Sequence, residues 1–169
     1  MYLNKAIFLD RDGVINDFKE YVCTPEDLII FEEAKEGIKI AAEAGYSIFV
    51  VTNQGGIEVG TLTEEELEKI HEKLIKEVEP YGEIREIVYC PFYDRNASCR
   101  KPNPTMLLEL IEKYNINAKE SWMIGDRDTD VEAGIKAGCK TGKIGKFCDK
   151  ANVNESNLLE VIKKILKHK

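Results

Sequence analysis

The sequence predicts an α/β fold, a Rossmann-like three-layer sandwich with a central parallel sheet between layers of helices. Short apolar runs alternate with stretches of helical periodicity along all 169 residues. Several of those runs end in polar, reactive side chains. The segments between runs hold a helix but no large cap domain, and repeated β-α units give a parallel sheet covered on both faces. The whole chain, 1–169, is expected to form a single domain, since its length suits one full core.

Each element has its own signal. Ala6-Ile7-Phe8-Leu9 is a short apolar run closed by Asp10-Arg11-Asp12-Gly13, and reads as a buried strand. Residues 16–31 are irregular, with Pro25 and several aromatics, and read as a flap or hairpin. Residues 33–44 carry helical spacing through Ala34, Ile38, Ala41 and Ala42, with Gly45 suited to a C-terminal cap. Ser47-Ile48-Phe49-Val50-Val51 is a second strand, ending in Thr52-Asn53-Gln54-Gly55-Gly56. Thr63-Glu64-Glu65-Glu66 opens a helix as a capping box. Leu67, Ile70, Leu74 and Val78 form that helix's apolar face, and Pro80 marks its end.

A third strand, 84–89, runs into Cys90-Pro91. A helix beginning at Asn103 or Thr105 buries Met106, Leu107, Leu110 and Ile111. Ser121-Trp122-Met123-Ile124 is a fourth strand, ending in Gly125-Asp126-Arg127-Asp128-Thr129-Asp130. A short helix at 129–137 is stopped by Gly138, and 142–144 contribute a last strand. Residues 155–167 close the chain as a helix with Leu158, Leu159, Ile162, Ile165 and Leu166 on one face.

In an open parallel sheet, ligands bind beyond the C-terminal ends of the strands. Parallel strands therefore bring Asp10, Asp12, Thr52 and Asp126 to one crevice, with loops as its only lid. Two carboxylates held there can bind a divalent cation, attack an electrophile or pass a proton. An Asp-rich turn that merely caps a strand is the plainer alternative. The agreement of several strand ends weighs against it.

Bulk properties narrow the function classes. A net charge of -7 argues against general nucleic-acid binding, which needs a basic face. No apolar stretch approaches the ~20 residues of a membrane span, and Met1-Tyr2-Leu3-Asn4-Lys5 has no signal-peptide pattern, so a cytoplasmic location is expected. The odd count of five cysteines fits reduced thiols better than a disulfide framework. The expected partner is a small phosphorylated metabolite held by a local positive site, with no nucleic acid, no membrane and a monomeric state.

Asp10-x-Asp12-Gly13, Thr52-Asn53-Gln54, Arg100-Lys101-Pro102 and Gly125-Asp126-x-x-x-Asp130 resemble the four ordered motifs of the haloacid dehalogenase superfamily of phosphohydrolases. Thr52-Asn53-Gln54-x-Gly56-Ile57 narrows the resemblance, as does Cys90-Pro91 followed by Cys99-Arg100-Lys101-Pro102. Both are similar to the D-glycero-D-manno-heptose-1,7-bisphosphate phosphatase family, a relative of histidinol-phosphate phosphatase. The similarity runs from about Ala6 to about Lys143.

The resemblance implies a magnesium-dependent phosphomonoester hydrolase acting on a sugar bisphosphate through an aspartyl-phosphate, with histidinol phosphate or another small metabolite as the alternative substrate. It assigns Asp10 as nucleophile and Asp12 as general acid and then base. Thr52 and the backbone N–H groups of Asn53 and Gln54 are phosphoryl donors, and Lys101 is the balancing cation. Asp10, Asp126 and the Asp12 carbonyl are magnesium ligands, with Asp130 orienting a water behind them. Arg100 is expected at a second phosphate or sugar group. Arg127 and the flap residues Asn16, Asp17 and Tyr21 are further candidates for substrate contact.

The same family carries a zinc loop with Cys-x-His and then Cys-x-Cys. This chain keeps only Cys90 and Cys99, too few for a four-ligand structural site, so zinc is not expected. Cys23, Cys139 and Cys148 read as small buried or neutral residues. A receiver domain would want an acceptor Asp where Cys90 stands. A dinucleotide fold would want Gly-x-Gly-x-x-Gly after the first strand, and Gly142-Lys143-Ile144 is not a Walker loop.

Overall fold

The computed structural model describes residues 4–18 and 21–167. Residues 1–3 of the N-terminal reading, 19–20 of the flap, and His168 lie outside these.

Six strands form one sheet: β1 (Ala6–Leu9), β2 (Ser47–Asn53), β3 (Ile84–Cys90), β4 (Trp122–Gly125), β5 (Lys140–Ile144) and β6 (Val153–Glu155). Their order across the sheet is β3-β2-β1-β4-β5-β6, and every neighbouring pair is parallel. The fold is the α/β sandwich expected from the alternation, with no large cap. Strand β6 carried too short an apolar signal to be read from Val153-Asn154-Glu155 alone.

The two-residue period of the strands divides the core. Ile7, Leu9, Ile48, Val50, Trp122 and Ile124 face one helical layer, together with α1 (Glu32–Glu43), α3 (Glu64–Val78) and α6 (Leu158–Lys167). Ala6, Phe8, Phe49, Val51 and Met123 face the other, with α4 (Thr105–Lys113) and α5 (Asp128–Lys136). Most of the apolar faces read from spacing are buried: Ala34, Ile38 and Ala41 in α1; Leu67, Ile70, Leu74 and Val78 in α3; Met106, Leu107 and Leu110 in α4; Leu158, Ile162 and Ile165 in α6; whereas Ala42, Ile111, Leu159 and Leu166 are only half-buried, at the edges of those faces. Thr63 caps α3 as expected, accepting from the Glu66 N–H while its own N–H donates to the Glu66 carboxylate.

Several boundaries shift, among them the start of β5, at Lys140 where the sequence suggested residue 142. Helix α6 begins at Leu158 because 153–155 are consumed by β6. Helix α5 begins at Asp128, whereas its residue pattern suggested 129. A short helix, α2 (Gly56–Val59), follows β2 in a stretch to which the sequence assigned no element. The flap is tied down by the Asn16–Ile30 antiparallel bridge and by a 3-10 turn at Pro25–Asp27, and it sends Val22, Leu28 and Ile30 into the core.

Candidate active site

The strand order reverses at β1. The chain builds β2 and β3 on one side, then returns to build β4, β5 and β6 on the other. A crevice opens at the C-terminal edge of such a switch. Asp10 leaves β1 there and donates its N–H to the Ile124 carbonyl at 3.0 Å, which ties the turn to β4. Asp126 leaves β4, and Asp130 returns from the first turn of α5.

One carboxylate oxygen from each of Asp10, Asp126 and Asp130 lies within 4.8 Å of the others. Gly13 and Gly125 make this approach possible. A side chain at Gly13 would collide with the Asp126 carboxylate, and one at Gly125 with that of Asp130. Lys101 enters between the acids, its Nζ 2.7 Å from Asp130 Oδ1 and 3.2 Å from Asp10 Oδ1, and donates to the Val51 carbonyl at 2.8 Å. Asn53 fixes the Lys101 backbone reciprocally, accepting its N–H at 3.1 Å and donating to its carbonyl at 3.3 Å.

Burial is the main cause that pushes the Asp10 carboxyl up, to about 7. The Asp130, Asp126 and Asp12 carboxylates add to it, while Lys101 acts against it. Asp126 is raised by burial and by Asp130, against Arg127 and Lys101. For Lys101, burial works against the ammonium, but Asp10 and Asp130 outweigh it and its pKa is raised. The cluster thus holds more negative charge than one lysine balances. Asp126 Oδ1 is buried without a hydrogen-bond partner. A hard divalent cation with oxygen ligands fits this donor set.

Asp12 is held from several sides. Arg11 Nε and Nη2 donate to its Oδ1 at 3.0 and 2.8 Å, Asn16 Nδ2 donates to the same oxygen at 3.0 Å, and Gln54 Nε2 donates to Oδ2 at 3.2 Å. The same Gln54 amide donates to Thr52 Oγ1 at 2.9 Å. Arg11 itself is 1% exposed, and its Nη1 lies 3.1 Å from Nε2 of His71 on α3. Arginine can only donate, so His71 accepts there and is neutral. Burial, then the Arg11 charge, depress its pKa to about 3. Arg11 and His71 were not singled out for the site. The one available signal was a charged residue standing between two aspartates at the end of a buried strand.

The cavity above these groups has a volume of about 170 Å³. It is lined by Asp10, Asp12, Thr52, Asn53, Gln54, Lys101, Arg100, Asp126, Arg127, Asp130 and Tyr21, all read from the sequence. Its mouth is aromatic. Arg100 lies over Tyr93 at 5.8 Å and Arg127 over Phe18 at 5.8 Å, and Arg100 also donates to the Phe92 carbonyl at 2.9 Å.

Several expectations are corrected. Asn16 is fully buried beneath Asp12 and acts on that carboxylate, not on the cavity. Asp17 is not among the residues lining the cavity. The Gln54 N–H is taken by the Cys90 carbonyl at 2.8 Å, so it is no phosphoryl donor. Beside the two other acids, Asp130 also pairs with Lys101 at 2.7 Å, a contact its reading did not include. Cys90 and Cys99 are not reduced thiols: they form a disulfide, with their Cα atoms 5.6 Å apart. Turns at Asp94–Ala97 and Ala97–Arg100 fold the segment back onto the end of β3, a closure that cysteine counting cannot see. Cys139 and Cys148 are buried and Cys23 is half-buried, in line with their reading.

Among known proteins, the family described as HAD-hydrolase-like matches residues 98–145. The chain is 39% identical over 132 residues to the D-glycero-beta-D-manno-heptose-1,7-bisphosphate 7-phosphatase of Neisseria meningitidis serogroup A, covering 76% of this chain and 71% of the relative. It is 38% identical over 163 residues to the enzyme of the same name from Pseudomonas putida, covering 92% and 93%. Among solved structures, a D,D-heptose 1,7-bisphosphate phosphatase from B. bronchiseptica, complexed with magnesium and phosphate, superimposes with a TM-score of 0.88 at 26% identity, over 98% of this chain and 99% of that one.

Proposed function

The chain belongs to the heptose-1,7-bisphosphate 7-phosphatase family of haloacid dehalogenase-like hydrolases, and from that premise we propose that it is a magnesium-dependent phosphatase that removes the 7-phosphate of a heptose 1,7-bisphosphate. The observation that carries the reading is the cluster of Asp10, Asp126 and Asp130 around Lys101 at the strand switch. Asp10, Asp126 and the Asp12 carbonyl would hold the ion. Bound there, magnesium offsets the repulsion between a phosphate dianion and an attacking carboxylate.

Asp10 attacks phosphorus, and the bond to the sugar oxygen breaks as the aspartyl-phosphate forms. Asp12 gives a proton to that leaving oxygen. It then takes one from the water that attacks the phosphoenzyme and frees Asp10. Arg11, Asn16 and Gln54 hydrogen-bond the Asp12 carboxylate, and these contacts would hold it in place for the exchange. Thr52 and Lys101 would serve the phosphoryl oxygens, while Arg100, Arg127 and Tyr21, which line the same cavity, would meet the sugar.

The test is a phosphate-release assay over sugar bisphosphates and monophosphates with magnesium present. Heptose 1,7-bisphosphate should be preferred, chelation should stop turnover, and added magnesium should restore it. The Asp10→Asn enzyme should fold and be inactive. A tenfold preference for histidinol phosphate, about 1.4 kcal/mol of transition-state discrimination, would overturn the substrate. Wild-type activity in Asp10→Asn would overturn the mechanism.

A further inference from the structure

We infer that His71 is a positioning residue for the proton transfer: by accepting from Arg11 it fixes the guanidinium that orients the Asp12 carboxylate. This rests on the reading of Asp12 as general acid and base above, and not on the identity of the sugar. His71 lies on α3, 60 residues from Arg11 in sequence, and is not among the residues lining the cavity that holds Asp10 and Asp12. Any effect it has on the reaction passes through a neighbour.

The sequence of α3 marks the position. Leu67, Ile70, Leu74 and Val78 make its apolar face, and His71 is buried with them where an apolar side chain would be ordinary. An imidazole there needs a polar partner to offset its desolvation. That partner is Arg11 Nη1, 3.1 Å from Nε2. A guanidinium cannot accept, so Nε2 accepts and the ring proton sits on Nδ1. The Tyr89 ring of β3 flanks the imidazole, with 6.3 Å between centroids.

Arg11 carries the effect to Asp12. It is almost fully buried, and a buried guanidinium keeps one orientation only while its donors are satisfied. Nε and Nη2 grip Asp12 Oδ1 at 3.0 and 2.8 Å, and His71 holds the third nitrogen. With Asn16 Nδ2 also on it at 3.0 Å, Oδ1 has three donors. Among the described residues, Oδ2 meets only the Gln54 amide, at 3.2 Å. Oδ1 is thus saturated, and Oδ2 is the oxygen left to give a proton to the leaving oxygen and then take one from water. Without the acceptor on α3, Nη1 is unpaired beside an apolar helix face. The fork then turns toward another acceptor and loosens its grip on Oδ1.

The test uses leaving groups of different basicity: heptose 1,7-bisphosphate, phenyl phosphate and p-nitrophenyl phosphate. An alkoxide or phenolate needs the acid's proton to depart, whereas nitrophenolate leaves nearly unaided. In His71→Leu, kcat/KM should fall about tenfold or more on the first two substrates and less than about threefold on p-nitrophenyl phosphate. His71→Gln, whose amide oxygen can accept from Arg11, should stay close to wild type on all three. His71→Ala, which also lacks the acceptor, carries the test if His71→Leu does not fold. An equal loss on every substrate, no loss, or a Gln variant as impaired as the Leu variant overturns the inference. Asp12→Asn separates it from the mechanism beneath it. If Asp12→Asn shows the leaving-group pattern and His71→Leu does not, only the role of His71 falls. If Asp12→Asn loses equally on all three, the acid role of Asp12 falls, and the inference with it.

Discussion

At the scale of single residues, the determinants of the chemistry are the groups that hold the reacting ones. Gln54 spans Asp12 and Thr52 with one amide nitrogen, so its loss unties both. We expect Gln54→Ala to lower kcat about tenfold with little change in KM, and with a melting temperature close to that of wild type. A KM effect alone would show that the amide binds substrate instead. The Arg11–His71 contact has a pH signature. His71 takes up a proton at about 6.5 in the unfolded chain but only at about 3 in the folded one. The stability of its neutral form is complete above pH 6.5 and is lost as the pH falls toward 3. Relative to His71→Gln, the wild type should lose on the order of 2 kcal/mol between pH 7 and pH 5. Urea unfolding at both values measures it, and parallel curves would remove His71 from the account. That aspartates, a threonine and a lysine line one cavity was legible in the chain because their motifs lie close to strand ends. His71 was not, because its partner is 60 residues away in sequence.

At the scale of elements, the turns after β1 and β4 do more than connect. Gly13 has φ +81° and would meet Asp126 if it carried a side chain, whereas Gly60 has φ +84° and open space around it. Both alanine variants should lose roughly 1–2 kcal/mol of stability from the left-handed backbone. Only Gly13→Ala should also weaken magnesium binding, by tenfold or more, because only it displaces a carboxylate. Thermal unfolding with and without magnesium separates the two effects, and equal magnesium shifts in both would sink the claim. The helices were legible because their apolar faces repeat at helical spacing and Thr63 announces its own cap. Strand β6 was not, since three residues carry no period, and its position rests on pairing with β5.

At the scale of the whole molecule, the sheet order places the site and the disulfide shapes its rim. Three cysteines remain free and five are present in all, so denatured, unreduced protein should show three reactive thiols and reduced protein five. The closed segment is short, with 9 residues of separation, and reduction should cost about 2–3 kcal/mol by the loop-closure estimate. Five reactive thiols without reductant would mean that the Cys90–Arg100 segment is held without a covalent link, by packing, its two turns and the Arg100–Phe92 hydrogen bond among others. Among the described residues no helix is long and apolar enough to cross a membrane.

The sequence by itself determined the alternation of strands and helices, the buried faces, and the residue types gathered at the strand ends. These follow from local periodicity and from motifs a few residues long. Only the tertiary structure decided which of those residues face the cavity and which stand behind it. Asn16 lies under Asp12, Asn53 clamps the Lys101 backbone, and Lys143 is buried beside Asp126's strand. The reason is physical: a side chain's chemistry is carried by its own residue, but its partners and its desolvation depend on chain segments tens of residues away that come together only when the sheet closes.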